Sequence, residues 1–271
     1  MIAGNPSILK RGKSMNVVTG ATGHIGNTLV RALLSRDAKV RCLVLPSEGR
    51  EPLAGLDIET AMGDVRDSGS LEAAFAGADV VYHLASVITL SPRQGRLLKA
   101  VNVGGAANVV EACRRTGVRR LVYVSSIHAI AEPPQGTVID ETMPIDPSRI
   151  HMAYGKSKAE ATRIVLRAAG QGLDAVVVCP TGVIGPYDFR LSEMGRLFLT
   201  FAKRRLPAFV DGAYDFVDVR DVAEGLIAAA DKGRTGEVYI LSGELVTVRR
   251  LMGLLGGVTG TRAPRFLAPA W

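Results

Sequence analysis

Aromatic side chains are scarce in this chain of 271 residues: they make up 5% of it, with a single Trp. The hydrophobic share of 47% is therefore mainly aliphatic, as a buried parallel sheet requires. The formal net charge is +7, but few aromatics are interleaved with the basic residues and no known binding module is present. A nucleic-acid surface is excluded on those grounds. Short basic clusters at Arg114-Arg115, Arg119-Arg120 and Lys203-Arg204-Arg205 read instead as solvated surface with a general pull on anionic ligands. Cysteine is rare too. Cys42, Cys113 and Cys179 lie far apart within apolar stretches, without metal-ligand spacing, which predicts reduced core thiols, no metal site and a cytoplasmic location. No window approaches the roughly 18 apolar residues of a membrane span. The segment before Met15 carries Lys10, Arg11 and Lys13 but no apolar stretch of a secretory signal, so residues 1–14 are expected to be a disordered leader.

What is present is a regular alternation of short aliphatic runs with amphipathic stretches, the pattern of parallel strands joined by crossover helices. Strands are expected at Asn16 to Thr19, Val40 to Val44, Ile58 to Met62, Val80 to Leu84, Arg120 to Ser125 and Ala175 to Cys179. Helices are expected across Asn27 to Leu34, Leu71 to Phe75, Ala100 to Arg115 and Ala153 to Ala169. The fold class predicted is α/β, a doubly wound parallel sheet over residues 15–180. Beyond it Pro180, Gly182, Gly185 and Pro186 mark an irregular connection. Residues 181–271 are expected to form a small C-terminal substrate lobe, with short strands and a helix between about 216 and 241 partly packing back on the core.

Val17-Val18-Thr19 runs directly into Gly20-Ala21-Thr22-Gly23-His24-Ile25-Gly26 and then a helix, so the glycines sit on a strand-to-helix turn. Such a turn lets a pyrophosphate approach backbone N–H groups where no Cβ intervenes, and the helix N-terminus favours negative charge. This predicts a Rossmann-type dinucleotide site for NAD or NADP, with Gly20, Thr22, Gly23, His24, Ile25 and Gly26 at the cofactor. At the end of the second strand Val44-Leu45-Pro46-Ser47 supplies no acid for the ribose hydroxyls, while Arg41 and Arg50 lie nearby; the balance leans to NADP. Asp64 and Val65 after the third strand are expected at the adenine. Leu84, Ala85 and Ser86 after the fourth are expected where the cofactor crosses the sheet edge.

Tyr154-Gly155-Lys156-Ser157-Lys158 places Tyr154 and Lys158 on one helix face. A phenol is a poor acid–base catalyst at neutral pH, but an ammonium held beside it stabilises phenolate; Lys158 can also hold a nicotinamide ribose. Ser125-Ser126 follows an apolar strand at the edge where α/β sheets build their sites, and either hydroxyl could polarise a carbonyl, with Ser126 preferred.

Taken in order, these pieces resemble the extended short-chain dehydrogenase/reductase family, also called the NAD-dependent epimerase/dehydratase family. The resemblance also takes in Gly63-Asp64-Val65, His83-Leu84-Ala85, Asn102 within Val101-Asn102-Val103-Gly104-Gly105, Pro180 to Pro186 and Val217 to Ala223, and covers Met15 to the C-terminus. It implies Tyr154 as general acid–base, Lys158 as its partner, Ser126 as the carbonyl donor and Asn102 as a positioning residue, with Ser125, Pro180 and Val183 also near the cofactor. Members that bind nucleotide sugars carry an arginine before the proline at Pro180, where this chain has Cys179. The sugar dehydratases carry an Asp-Glu pair where this chain has Ile127-His128. The loop Val87-Ile88-Thr89-Leu90 is more apolar than a sugar pocket needs. These departures resemble the dihydroflavonol-reductase and 3β-hydroxysteroid-dehydrogenase branch. They imply a moderately apolar small-molecule substrate met by Val87, Ile88, His128 and Tyr187. Members of that branch continue past the point where this chain ends at Pro269-Ala270-Trp271, which leaves enclosure of the substrate open. A sugar-nucleotide epimerase and a non-catalytic cofactor-binding regulator stand as the alternative functions. Family members pair through the helices corresponding to Leu97–Arg115 and Tyr154–Ala169, so a homodimer is expected.

Overall fold

The computed structural model describes residues 14–89, 94–134, 136–264 and 266–268; the leader up to Lys13, Leu90 and the closing Pro269-Ala270-Trp271 lie outside them. The chain opens with β1 (Met15–Thr19), α1 (His24–Leu34) and β2 (Lys39–Val44), then β3 (Glu59–Met62), α2 (Ser68–Phe75) and β4 (Ala78–His83). Next, α3 (Gly95–Leu98) passes through a π-helical turn (Lys99–Gly104) into α4 (Gly105–Thr116), followed by β5 (Arg120–Val124), α5 (Ala153–Gly170) and β6 (Ala175–Pro180). The remainder comprises β7 (Gly182–Ile184), α6 (Glu193–Ala202), β8 (Ala208–Val210), β9 (Ala213–Asp218) and α7 (Val219–Lys232). It closes with β10 (Val238–Leu241), β11 (Glu244–Thr247), α8 (Val248–Thr259) and β12 (Phe266–Ala268).

Seven parallel strands form the main sheet in the order β10-β6-β5-β4-β1-β2-β3. Their side chains alternate between two buried layers. Leu121, Tyr123, Val177 and Cys179 face the layer built from α2, α4 and α5, while Val122, Val124, Val176 and Val178 face that of α1 and α7. A sheet covered on both faces must be apolar on both, which is why the central strands read as continuous aliphatic runs, while the edge strand β3 is largely exposed. From β1 the chain goes to β2 on one side and later returns to β4 on the other. That reversal opens a crevice at the C-terminal strand ends, where the turn after β1 meets the loop after β4.

Residues 219–241 belong more fully to this core than the sequence pattern indicates. Helix α7 packs along α1, and β10 extends the sheet edge beside β6. The lobe holds two smaller sheets, β11-β9-β7 and β12-β8, packed with α6 and α8 around Phe201, Val246, Leu251 and Met252. Among the described residues no helix is long and apolar enough to cross a membrane.

Candidate active site

Four helices are capped by a side chain, Asp67 on α2, Ser192 on α6, Asp218 on α7 and Thr247 on α8, while α1, α3, α4 and α5 are not. Of the uncapped helices, α1 is the one that follows directly on the glycine turn after β1. Gly23 is its N-cap, no side chain bonds its N-terminus, and no acid occupies its first turn. The three glycines at its start, Gly20 and Gly23 before it and Gly26 in its first turn, are required for different reasons. A Cβ on Gly26 would lie 2.2 Å from the Gly20 carbonyl oxygen, and one on Gly20, whose φ is +71°, would lie 2.7 Å from the Ala85 nitrogen. Those two are demanded by the fold. At Gly23, φ is −78° and a Cβ would have a single close neighbour, the Gly20 oxygen at 3.3 Å. An uncapped helix N-terminus behind a turn whose Gly23 presents no side chain, with Ala21 and Thr22 buried, has the donors and the room for a diphosphate, so this site fits a dinucleotide cofactor.

The loop after β4 is tied down from beneath. The Thr19 hydroxyl accepts from the backbone N–H groups of Leu84 and Ala85, at 3.2 and 3.1 Å, and lies 2.8 Å from His83 Nδ1. With both acceptor positions used, the hydroxyl donates to Nδ1, leaving the ring proton on Nε2. Burial, and then the nearby Lys158, push His83 down to about 3, so the imidazole is neutral. Asn102, in the π-helical turn, exchanges two hydrogen bonds with the Val87 backbone and donates to Ser157 Oγ at 3.0 Å. Ser157 in turn donates to the Tyr154 carbonyl at 2.7 Å. Asn102 therefore fastens the loop of Ser86, Val87 and Ile88 to the helix that carries Tyr154. Val87 is half-buried there, whereas Ile88 is exposed.

Around the second strand the structure spends two expected contacts elsewhere. Arg41 bonds Glu59 and the carbonyls of Ala74 and Ala76, so it does not reach toward a cofactor phosphate. Arg50 stays exposed. The Asp64 carboxylate takes the guanidinium and backbone N–H of Arg66, which hold its pKa below the usual carboxylate range against the opposing effect of burial. Val65 is buried against Gly105, with its carbonyl bonded by Asn108.

Ser125 and Ser126 leave β5 in opposite senses. The Ser125 hydroxyl lies 2.6 Å from Thr162 Oγ1, which itself donates to the Lys158 carbonyl; Ser125 is thus turned into the layer beneath α5. Ser126 lies beside the Tyr154 phenol, and its Oγ accepts from the His128 backbone N–H at 3.3 Å. Burial pushes Tyr154 up to about 12, with the neighbouring Ser126 hydroxyl pulling the other way. Lys158, one turn along α5, is 2% exposed, and burial brings its ammonium down to about 7. Its Nζ donates to the Val124 carbonyl at 2.6 Å. The ammonium expected to lower the phenol's pKa is thus itself desolvated, and Lys158 is not among the groups shifting Tyr154.

On the substrate side, the His128 ring stands edge-on to Tyr154, centroids 6.4 Å apart at 72°, and its Nε2 is 3.0 Å from the Tyr214 hydroxyl. Tyr214 was not legible as a site residue. It arrives on β9 in the three-stranded sheet, close enough to β7 that a Cβ on Gly182 would strike its ring at 2.7 Å. Pro180 ends β6 buried, and Val183 is half-buried in β7. Tyr187 goes elsewhere. After Gly185-Pro186 it adopts a φ of +68° and lies under the Arg31 guanidinium, 4.5 Å from its ring centre, while His24 Nε2 donates to the Pro186 carbonyl at 2.9 Å. The structure brings Tyr187 to α1, not to the Tyr154 group. Among the described residues no cluster of His, Cys, Asp and Glu could hold a metal ion.

The family model described as the NAD dependent epimerase/dehydratase family matches residues 16–242. The chain is 40% identical over 253 residues to Sterol demethylase protein B of Methylococcus capsulatus, covering 93% of this chain and 77% of that one. It is 35% identical over 258 residues to a putative dihydroflavonol 4-reductase of Synechocystis, covering 94% and 75%. The crystal structure of the Thermus thermophilus UDP-glucose 4-epimerase in complex with NAD superposes with a TM-score of 0.80 at 29% identity, covering 94% of this chain and 86% of that one.

Proposed function

The chain belongs to the NAD-dependent epimerase/dehydratase family and is an oxidoreductase. On that premise we propose that it moves a hydride between a nicotinamide cofactor and the carbonyl or alcohol of a moderately apolar small molecule. Ser126, Tyr154 and Lys158 are the working set. The observation that carries this reading is the meeting of Ser126, at the end of β5, with the Tyr154 phenol of α5, with the buried Lys158 one helical turn further along that helix.

A dinucleotide cofactor held by its diphosphate at the Gly20–Gly26 turn would supply or accept the hydride through its nicotinamide. In the reducing direction the Ser126 and Tyr154 hydroxyls converge on the substrate's carbonyl oxygen. Tyr154 is held protonated by burial and gives up its proton as charge develops on that oxygen, so hydride plus proton yields the alcohol. Lys158 serves the ribose hydroxyls and the phenolate left behind. Asn102 holds the roof of the site by binding Val87. His128 and Tyr214 offer a paired hydrogen-bonding edge to a second polar group on the substrate.

The half-buried Val87, Cys179 before Pro180, and relatives named for a sterol and a dihydroflavonol favour an apolar skeleton. The lean to NADP rests on Arg50, since Arg41 is occupied. A homodimer through α4 and α5 is part of the proposal, read by sedimentation at micromolar concentration. The deciding experiment titrates NADH and NADPH, then screens ketones for loss of reduced-cofactor absorbance. Substrate-dependent release of oxidised cofactor, abolished in Tyr154→Phe, supports the reductase. Tight cofactor retention with interconversion of a nucleotide sugar would replace it by the epimerase reading, which the likeness to the NAD-bound epimerase supports.

A further inference from the structure

The Lys158 ammonium is buried without a carboxylate: no ion pair among the described residues includes it. A charge removed from water in this way needs another source of stabilisation. One hydrogen bond runs to the Val124 carbonyl. The other close group is an aromatic face, since Nζ stands 4.8 Å from the centre of the Tyr123 ring. Tyr123 points into the layer beneath α5 and is 1% exposed, and its buried hydroxyl, beside Thr162, makes no hydrogen bond of full geometry among the described residues. An unpaired phenol hydroxyl destabilises the position it occupies, so the hydroxyl does not account for an aromatic here, whereas the ring face under a cation does.

Beside the Val124 carbonyl, the surroundings leave that face as the remaining electrostatic partner. On β4, the His83 ring lies 5.6 Å from the Tyr123 ring between centroids; burial keeps it neutral and the Thr19 hydroxyl fixes its tautomer. On β6, burial keeps the Cys179 thiol protonated, up to about 11, so no thiolate competes. On its own helix the neighbour is Tyr154, also protonated. We propose that the Tyr123 ring is the electrostatic seat of the Lys158 ammonium, a positioning residue that keeps the lysine charged and in place beside the crevice. The seat is a property of the cofactor-free protein; only its consequence for turnover rests on the function proposed above.

The test replaces Tyr123 by Phe and by a series of increasingly fluorinated phenylalanines, which weaken the negative ring face while nearly preserving shape. The Lys158 titration is followed in the cofactor-free protein by NMR at its side-chain Cε, and NADH and NADPH affinities are measured alongside. Tyr123→Phe is expected to keep the titration midpoint and to melt no lower than the parent, because it removes the unpaired hydroxyl and retains the ring. Along the fluorinated series the midpoint is expected to fall stepwise, by roughly one pH unit in total, with nucleotide affinity falling in parallel. A purely structural role for Tyr123 moves the melting temperature but not the midpoint, so a midpoint constant across the series overturns the proposal. A midpoint that falls while Tyr154→Phe keeps full turnover upholds the seat and overturns the proposed catalytic set instead.

Discussion

The main sheet and the C-terminal lobe both contribute to the site, but they are held together differently. The sheet buries apolar layers on both faces, from Val17 to Cys179 on one side and from Val18 to Ala230 on the other. Among the described residues the lobe's own cluster comprises Phe201, Val246, Leu251 and Met252. The groups assigned to chemistry, Ser126, Tyr154 and Lys158, stand on the densely packed half, where β5 and α5 fix them. Tyr214 comes from the thinly packed half. On the proposed function, precision is built where bonds change, and adaptability where the substrate varies.

The largest separation between the halves is expected in turnover. Tyr154→Phe should lower it roughly 10²–10⁴-fold with nucleotide affinity nearly intact, as for loss of a general acid–base. Tyr214→Phe, which removes only the bond to His128, should act mainly on substrate KM, by about tenfold or less. Equal losses of kcat in both variants would erase the division. In stability, Leu121→Ala should cost about 3 kcal/mol and lower the global melt. Met252→Ala should cost about 2 kcal/mol and appear first as faster amide exchange in α6 and α8. Uniform acceleration across β5 and α8 would show that the lobe has no separate opening.

A smaller effect distinguishes function from stability within the core half. Lys158 titrates near 10.5 when unfolded and near 7 in the folded chain, so below 10.5 the unfolded state takes up a proton that the folded state resists. Stability therefore falls as the pH drops from about 10.5 to 7. His83 repeats the pattern from 6.5 down to about 3. Lys158→Met should flatten the first slope and raise stability at pH 7 by about 2 kcal/mol while losing turnover and nucleotide affinity. Thermal melts from pH 7 to 10 check the sign, and a variant that melts lower at pH 7 would show that the buried ammonium contributes net stability.

Legibility in the sequence followed the same division. The central strands β1, β2, β4, β5 and β6 were plain because burial on both faces forces uninterrupted aliphatic runs, whereas the edge strand β10 was read as part of the lobe; the glycine turn and Tyr154-Lys158 spacing were plain because backbone approach and helix geometry impose fixed intervals. The lobe was not. Strands β7, β8, β11 and β12 are three or four residues long, too short for an alternating pattern, and helix α8 follows β11 without a connecting loop. Tyr214 carried no local signal, since its place beside His128 depends on two sheets meeting. Thr162 could have been found four residues beyond Lys158 on the same helix face. Tyr123 reads in sequence as one more apolar strand position, and its place under Lys158 emerges only from packing.

The most direct test of the account sets Gly23 against Gly26, two glycines of one turn that differ in what demands them. Gly26→Val should fail to fold normally, because a Cβ there meets the Gly20 carbonyl at 2.2 Å. Gly23→Val should keep the circular dichroism spectrum and most of the stability, with its single neighbour at 3.3 Å, yet lose nucleotide binding. Calorimetric titration of Gly23→Val with NADH and NADPH is the measurement. No detectable heat from a folded protein is the predicted result; affinity equal to the parent's for both nucleotides would reduce the Gly20–Gly26 turn to a structural device and remove the basis of the dinucleotide site.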